Sequence, residues 1–204
     1  MLRFMPPSRP TRRGPRAAGS VRIIGGRLRG SRLPVPDLPG LRPTPDRVRE
    51  TLFNWLGQQL EGWRCLDLYA GSGALGLEAA SRGAARVDMV ERDAQRVLAL
   101  AQASTRLHAD TVHLHAGDAL AFAAGCAPAS YDLVFVDPPF ALQGAHQQAL
   151  RQAARVLAHG GVAYLQAPDA ESLKLWAADG WEVLRSARAG QVHYALLRPL
   201  AGGR

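Results

Sequence analysis

The stretch W-R-C-L-D-L-Y-A-G-S-G-A-L-G-L-E-A-A-S-R, residues 63–82, carries three signals in succession. Residues 63–70 form an apolar run of strand type, and residues 74–82 fit a helix. Between them Gly71, Gly73 and Gly76 satisfy G-x-G-x-x-G. At a strand-to-helix turn, missing Cβ atoms let the chain turn tightly and let the backbone approach a nucleotide-like ligand. Glycines at such a turn also serve ordinary turn chemistry, so the surrounding pattern must decide.

Downstream, the pattern repeats as strand then helix. Residues 85–91, 111–116, 131–137 and 161–167 read as further strands, and residues 93–107 and 146–158 as helices. This rhythm predicts an α/β fold with a doubly wound, mostly parallel sheet covered by helices on both faces. Residues 181–199 differ. Two strand-like runs separated only by Ala189-Gly190 leave no room for a helix, so they predict an antiparallel pair ending a seven-stranded Rossmann-like sheet.

Upstream, V-R-I-I-G-G-R-L-R-G-S-R-L-P-V-P, residues 21–36, places two short β-type runs around Gly25-Gly26 and Gly30-Ser31, hence a small basic hairpin. A helix follows, with Thr44 as N-cap, Pro45 at its first position, and Val48, Leu52, Trp55, Leu56 and Leu60 on one face. The organisation is a disordered basic leader over 1–19, the hairpin extension over 20–42 and the main domain over 43–200.

Charge is segregated in the same way. Residues 1–50 hold 12 Arg against 3 acids, whereas the remaining 154 hold 13 basic and 14 acidic side chains. A basic segment on a near-neutral body suits a polyanion, most simply nucleic acid, because phosphate contacts release counterions. No apolar run approaches a membrane span, and two cysteines in apolar surroundings, Cys65 and Cys126, fit a cytoplasmic chain.

Three acids extend the glycine loop into a site. Glu91 ends the second strand about twenty residues after the glycines, where an acid accepts from ribose hydroxyls. Asp118, after the third strand, either accepts from an adenine amino group or caps the next helix. These features indicate adenosine and leave NAD and S-adenosylmethionine both open. The discriminator is Asp137-Pro138-Pro139-Phe140 at the end of the fourth strand. Asp137 and the Pro138 carbonyl offer two acceptors for an exocyclic amine, with Phe140 to stack on its base. His113 and His115 lack the company of a zinc site, and no hydrolase elbow or Walker loop occurs. No metal is expected.

The chain resembles the RsmD family of bacterial enzymes, class I S-adenosylmethionine-dependent methyltransferases that act on guanine N2 in 16S ribosomal RNA. The resemblance rests on residues 22–36, 40–56, 70–83, 134–140 and 190–196, in order, and spans about residues 20 to 198. It implies that Asp67, Gly71, Ser72 and Gly73 hold the methionine part of the cofactor, Glu91 the ribose and Asp118 the adenine, with Ala70, Arg92 and Ala119 also in the cofactor-binding set. Thr44 would complete that pocket. Asp137, Pro138, Pro139 and Phe140 would hold the guanine, and Arg22, Arg27, Arg29 and Arg32 would grip RNA phosphates. The implied partner is 16S RNA within a small-subunit assembly intermediate, met by a monomer. Leu28 stands where relatives carry Trp, and Tyr69 where they carry Phe. A nucleotide-dependent oxidoreductase and a non-catalytic RNA-binding factor remain the competing readings.

Overall fold

The computed structural model describes residues 17–36, 44–139, 144–178 and 180–200. Strands β1 (Ala17–Arg22) and β2 (Arg32–Pro36) form an antiparallel ribbon. It begins inside the stretch read as leader. Helix α1 (Asp46–Trp55) leads into the repeating body: β3 (Arg64–Asp67), α2 (Ala74–Ser81), β4 (Arg86–Glu91), α3 (Ala94–Arg106), β5 (Val112–Ala116), α4 (Ala119–Gly125), β6 (Tyr131–Val136), α5 (Ala145–Val156) and β7 (Leu157–Ala167). Helix α6 (Ala170–Ala177), β8 (Trp181–Ala189) and β9 (Val192–Pro199) complete it.

The seven-stranded sheet runs β5-β4-β3-β6-β7-β9-β8. Pairings from β5 to β7 are parallel, while β9 is antiparallel to both β7 and β8. The doubly wound reading and its terminal antiparallel pair are therefore present, with β9 inserted between β7 and β8. Strand order reverses between β3 and β6, which opens a crevice at their carboxyl ends.

Alternation along the central strands builds two cores. Cys65, Val87, Met89, Leu133 and Phe135 face α1, α2, α3 and the hairpin. Leu66, Val90, Val134 and Val136 face α4, α5 and α6. Burial on both faces explains why these strands read as continuous apolar runs. Asp88, fully buried in β4, is tolerated because Arg86, His115 and Tyr131 all hydrogen-bond its carboxylate.

Two local expectations are corrected. Pro45, not Thr44, is the N-cap of α1, since the amide of Arg49 donates to the Pro45 carbonyl and no side chain caps the helix. The helix also stops at Trp55, because Gly57 and Gln58 turn left-handed at φ 86° and 71°. Leu60 is buried beyond the helix end and does not extend its face.

The hairpin loop docks on the carboxyl end of α2. Gly26 has φ 73°, and a Cβ there would lie 1.8 Å from the Ser81 carbonyl oxygen. Only glycine allows this approach, in which the Arg27 amide donates to that carbonyl and the Leu28 amide to Ser81 Oγ. Leu28 itself is buried in the core and is no platform for a base.

Candidate active site

A cleft of about 530 Å³ opens at the carboxyl ends of β3, β4 and β6. That volume lies in the range of ordinary cofactor and substrate sites. Thr44, Asp67, Ala70, Gly71, Ser72, Glu91, Arg92, Asp118 and Ala119 all line it. Asp137, Pro138 and Pro139 line it from β6. Gly73 lies behind the loop as the N-cap of α2, donating its amide to the Ala70 carbonyl. Phe140 lies outside the described residues.

The glycine loop is tied down by acids. Gly71 donates its amide to Glu91 Oε2 at 3.0 Å, and Gly76 donates to Asp67 Oδ2 at 3.1 Å. A Cβ at Gly76 would meet Met89 Sδ at 2.7 Å, so its absence lets α2 lie against β4. Glu91 Oε1 also accepts from the Asp93 amide. Asp118 caps α4, its Oδ1 accepting from the Leu120 and Ala121 amides, and it also lines the cleft.

Burial pushes the Asp67 carboxyl up to about 7, against the lowering effect of the Gly76 and Tyr69 amides, with the Glu91 charge adding to the rise. Burial likewise pushes Asp137 up to about 7, and the charge of Asp67 adds to it. Tyr69 rises to about 12 through burial and the nearby Asp118 charge. Four carboxyl groups thus crowd one cleft, countered by Arg92 and Arg96 at its rim. Such a set of acceptors fits a ligand that brings positive charge and hydroxyl or amino donors.

Gln166 also lines the cleft, and its Oε1 accepts from the buried Tyr164 hydroxyl at 3.0 Å. Its signal was a polar residue ending the strand next to β6, where open sheets place ligands. No metal-binding group of three or more His, Cys, Asp or Glu occurs among the described residues. No helix among them is long and apolar enough to cross a membrane.

The four hairpin arginines are exposed. Arg27 donates to the His108 carbonyl and Arg32 to Ser20 Oγ, so part of each fork anchors the ribbon. Arg106 of α3 donates to the Arg32 carbonyl from the other side.

The family described as conserved hypothetical protein 95 matches residues 21–198. The ribosomal RNA small subunit methyltransferase D of Escherichia coli K12 is 42% identical over 192 residues, covering 91% of this chain and 93% of its own. The protein of that name from Haemophilus influenzae is 36% identical over 192 residues, covering 89% and 95%. The solved structure of yhhF from Escherichia coli superposes with TM-score 0.79 at 38% identity, covering 89% of this chain and 99% of that one.

Proposed function

The chain belongs to the family described as conserved hypothetical protein 95, that of the RsmD enzymes, and from that premise we infer that it is an S-adenosylmethionine-dependent ribosomal RNA methyltransferase. Its target is N2 of a guanine in 16S RNA, met in a small-subunit assembly intermediate by a monomer. One observation carries this reading: the acids of the glycine loop and Asp137 line a single cleft at the switch point of the sheet.

When bound, S-adenosylmethionine supplies an electrophilic methyl group. Asp67 and the loop amides hold the methionine end, Glu91 the ribose hydroxyls, and Asp118 the adenine amine through the oxygen its helix cap leaves over. Thr44 closes the pocket. Asp137 and the Pro138 carbonyl accept from the guanine N2 hydrogens, drawing the nitrogen lone pair out of conjugation and orienting it. A carboxyl whose value is about 7 also takes up the proton that N2 loses. The base must leave its stack to reach this point, a cost of a few kcal/mol. The hairpin arginines position the RNA through its phosphates and carry no sequence information themselves.

Asp137→Ala is the test. Transfer of radiolabelled methyl from S-adenosylmethionine to 16S RNA should fall at least about a hundredfold while calorimetric cofactor binding persists. Digestion of the wild-type product should yield N2-methylguanosine. Full turnover by Asp137→Ala, or a methylated adenine or cytosine instead, would contradict the assignment.

A further inference from the structure

Helix α2 buries all eight of its residues, and Glu78 is its sole charge. That carboxylate accepts four hydrogen bonds. Oε2 takes the Ile24 amide at 2.9 Å and Arg49 Nη1 at 3.1 Å; Oε1 takes the Gly25 amide at 2.8 Å and Arg82 Nε at 2.9 Å. Arg49, with no exposed surface, spreads its remaining donors over separate segments: Nε to the Thr44 carbonyl at 3.3 Å, and Nη2 to the Arg22 carbonyl at 2.9 Å and to Asp46 Oδ1 at 2.6 Å. A buried ion pair is a poor route to stability, since apolar residues of similar size often do as well. What this pair supplies is geometry. A planar guanidinium joins several acceptors at fixed angles, which an ammonium at one point cannot.

The segments joined are the ones that matter to the proposed reaction. Thr44 lines the cofactor cleft, Arg22 and residues 24–25 belong to the basic hairpin, and α2 carries the glycine loop at its other end. Asp137, just past β6, is not among the bonded partners of Arg49 or Glu78. We propose that Arg49 is a positioning residue that locks the RNA-gripping hairpin and Thr44 to the glycine-loop helix through Glu78, holding both binding surfaces in register. This rests on the methyl-transfer reading above.

The split between binding and chemistry tests it. The full chain is compared as wild type, as Arg49→Lys, and as Arg49→Met with Glu78→Gln, a change that keeps a side-chain acceptor for the buried Arg82. Thermal melting establishes folding. Calorimetry then measures S-adenosylmethionine binding, filter binding measures a small-subunit RNA transcript, and steady-state assays give KM and kcat. In Arg49→Lys both dissociation constants and both KM values should rise about three- to tenfold, with kcat within about twofold of wild type. The double variant should lose at least as much, and carries the comparison if the lysine variant melts too low. A merely structural role would lower the melting temperature and the active fraction, leaving KM unchanged. Folded variants that bind both ligands like wild type, or that lose only kcat, overturn the inference alone. A wild-type chain that binds no S-adenosylmethionine overturns the methyl-transfer reading, and this inference with it.

Discussion

Asp67 and Asp137 are carboxyls that the ligand-free protein holds up to about 7. Their unfolded values are near 3.9, so between roughly pH 4 and 7 the native state keeps protons that the unfolded chain releases. Their contribution to the stability of the ligand-free protein is therefore full below that window and is lost as pH rises through it. The cationic methionine end of S-adenosylmethionine needs Asp67 ionised, and its binding has the opposite slope. S-adenosylmethionine affinity should rise several-fold from pH 6 to pH 8, with protons released on binding at pH 6. Calorimetry in buffers of different ionisation enthalpy measures both, and a pH-independent affinity would show that Asp67 does not meet the cation. Asp137 was readable in the sequence from its position at a strand end, and Asp67 from the family resemblance. Their mutual repulsion was not, because it depends on β3 and β6 lying side by side.

At the scale of elements, α2 is the member on which the others converge. Its amino end turns through the glycine loop into the cleft, and its carboxyl end receives the hairpin. Gly26→Ala should break that second joint, since a Cβ would collide with backbone that no rotamer change can move aside. A loss of about 2 kcal/mol or more in urea unfolding is expected, together with weaker RNA binding. Unchanged unfolding would mean that the ribbon is not docked in solution as it is here. Helix caps sort in the same way: Asp118 was readable as a cap and does cap α4, whereas the structure adds Asp93 and Asp169 as the caps of α3 and α6. Thr44 had the right residue type and the wrong job. Its carbonyl is held by Arg49, and Pro45 takes the N-cap position.

The whole molecule sets a basic ribbon beside an acidic cleft. The surplus of nine positive charges in the first 50 residues is the reason to expect RNA affinity to depend steeply on salt. Replacing Arg22, Arg27, Arg29 and Arg32 by Ala one at a time should each reduce the slope of log K against log salt by about 0.7 to 0.9, the share of one neutralised phosphate. Filter binding across a salt series reads this directly, and slopes equal to wild type would remove the hairpin from the interface. By itself, the sequence determined the alternation of strands and helices up to β7, the glycine loop, the acids at the strand ends and the antiparallel finish. Those follow from local rules: the period of apolar residues, turn chemistry, and the lack of room for a helix around Ala189-Gly190. Only the tertiary structure decided that Glu78 and Arg49 pair, that Gln166 reaches the cleft, and that Leu28 turns inward. The Glu78–Arg49 pair joins residues 29 apart, and Arg49 also reaches back 27 to Arg22. Helical or strand spacing carries no information at such distances, and burial that forces each charge to find a partner exists only once the layers have packed.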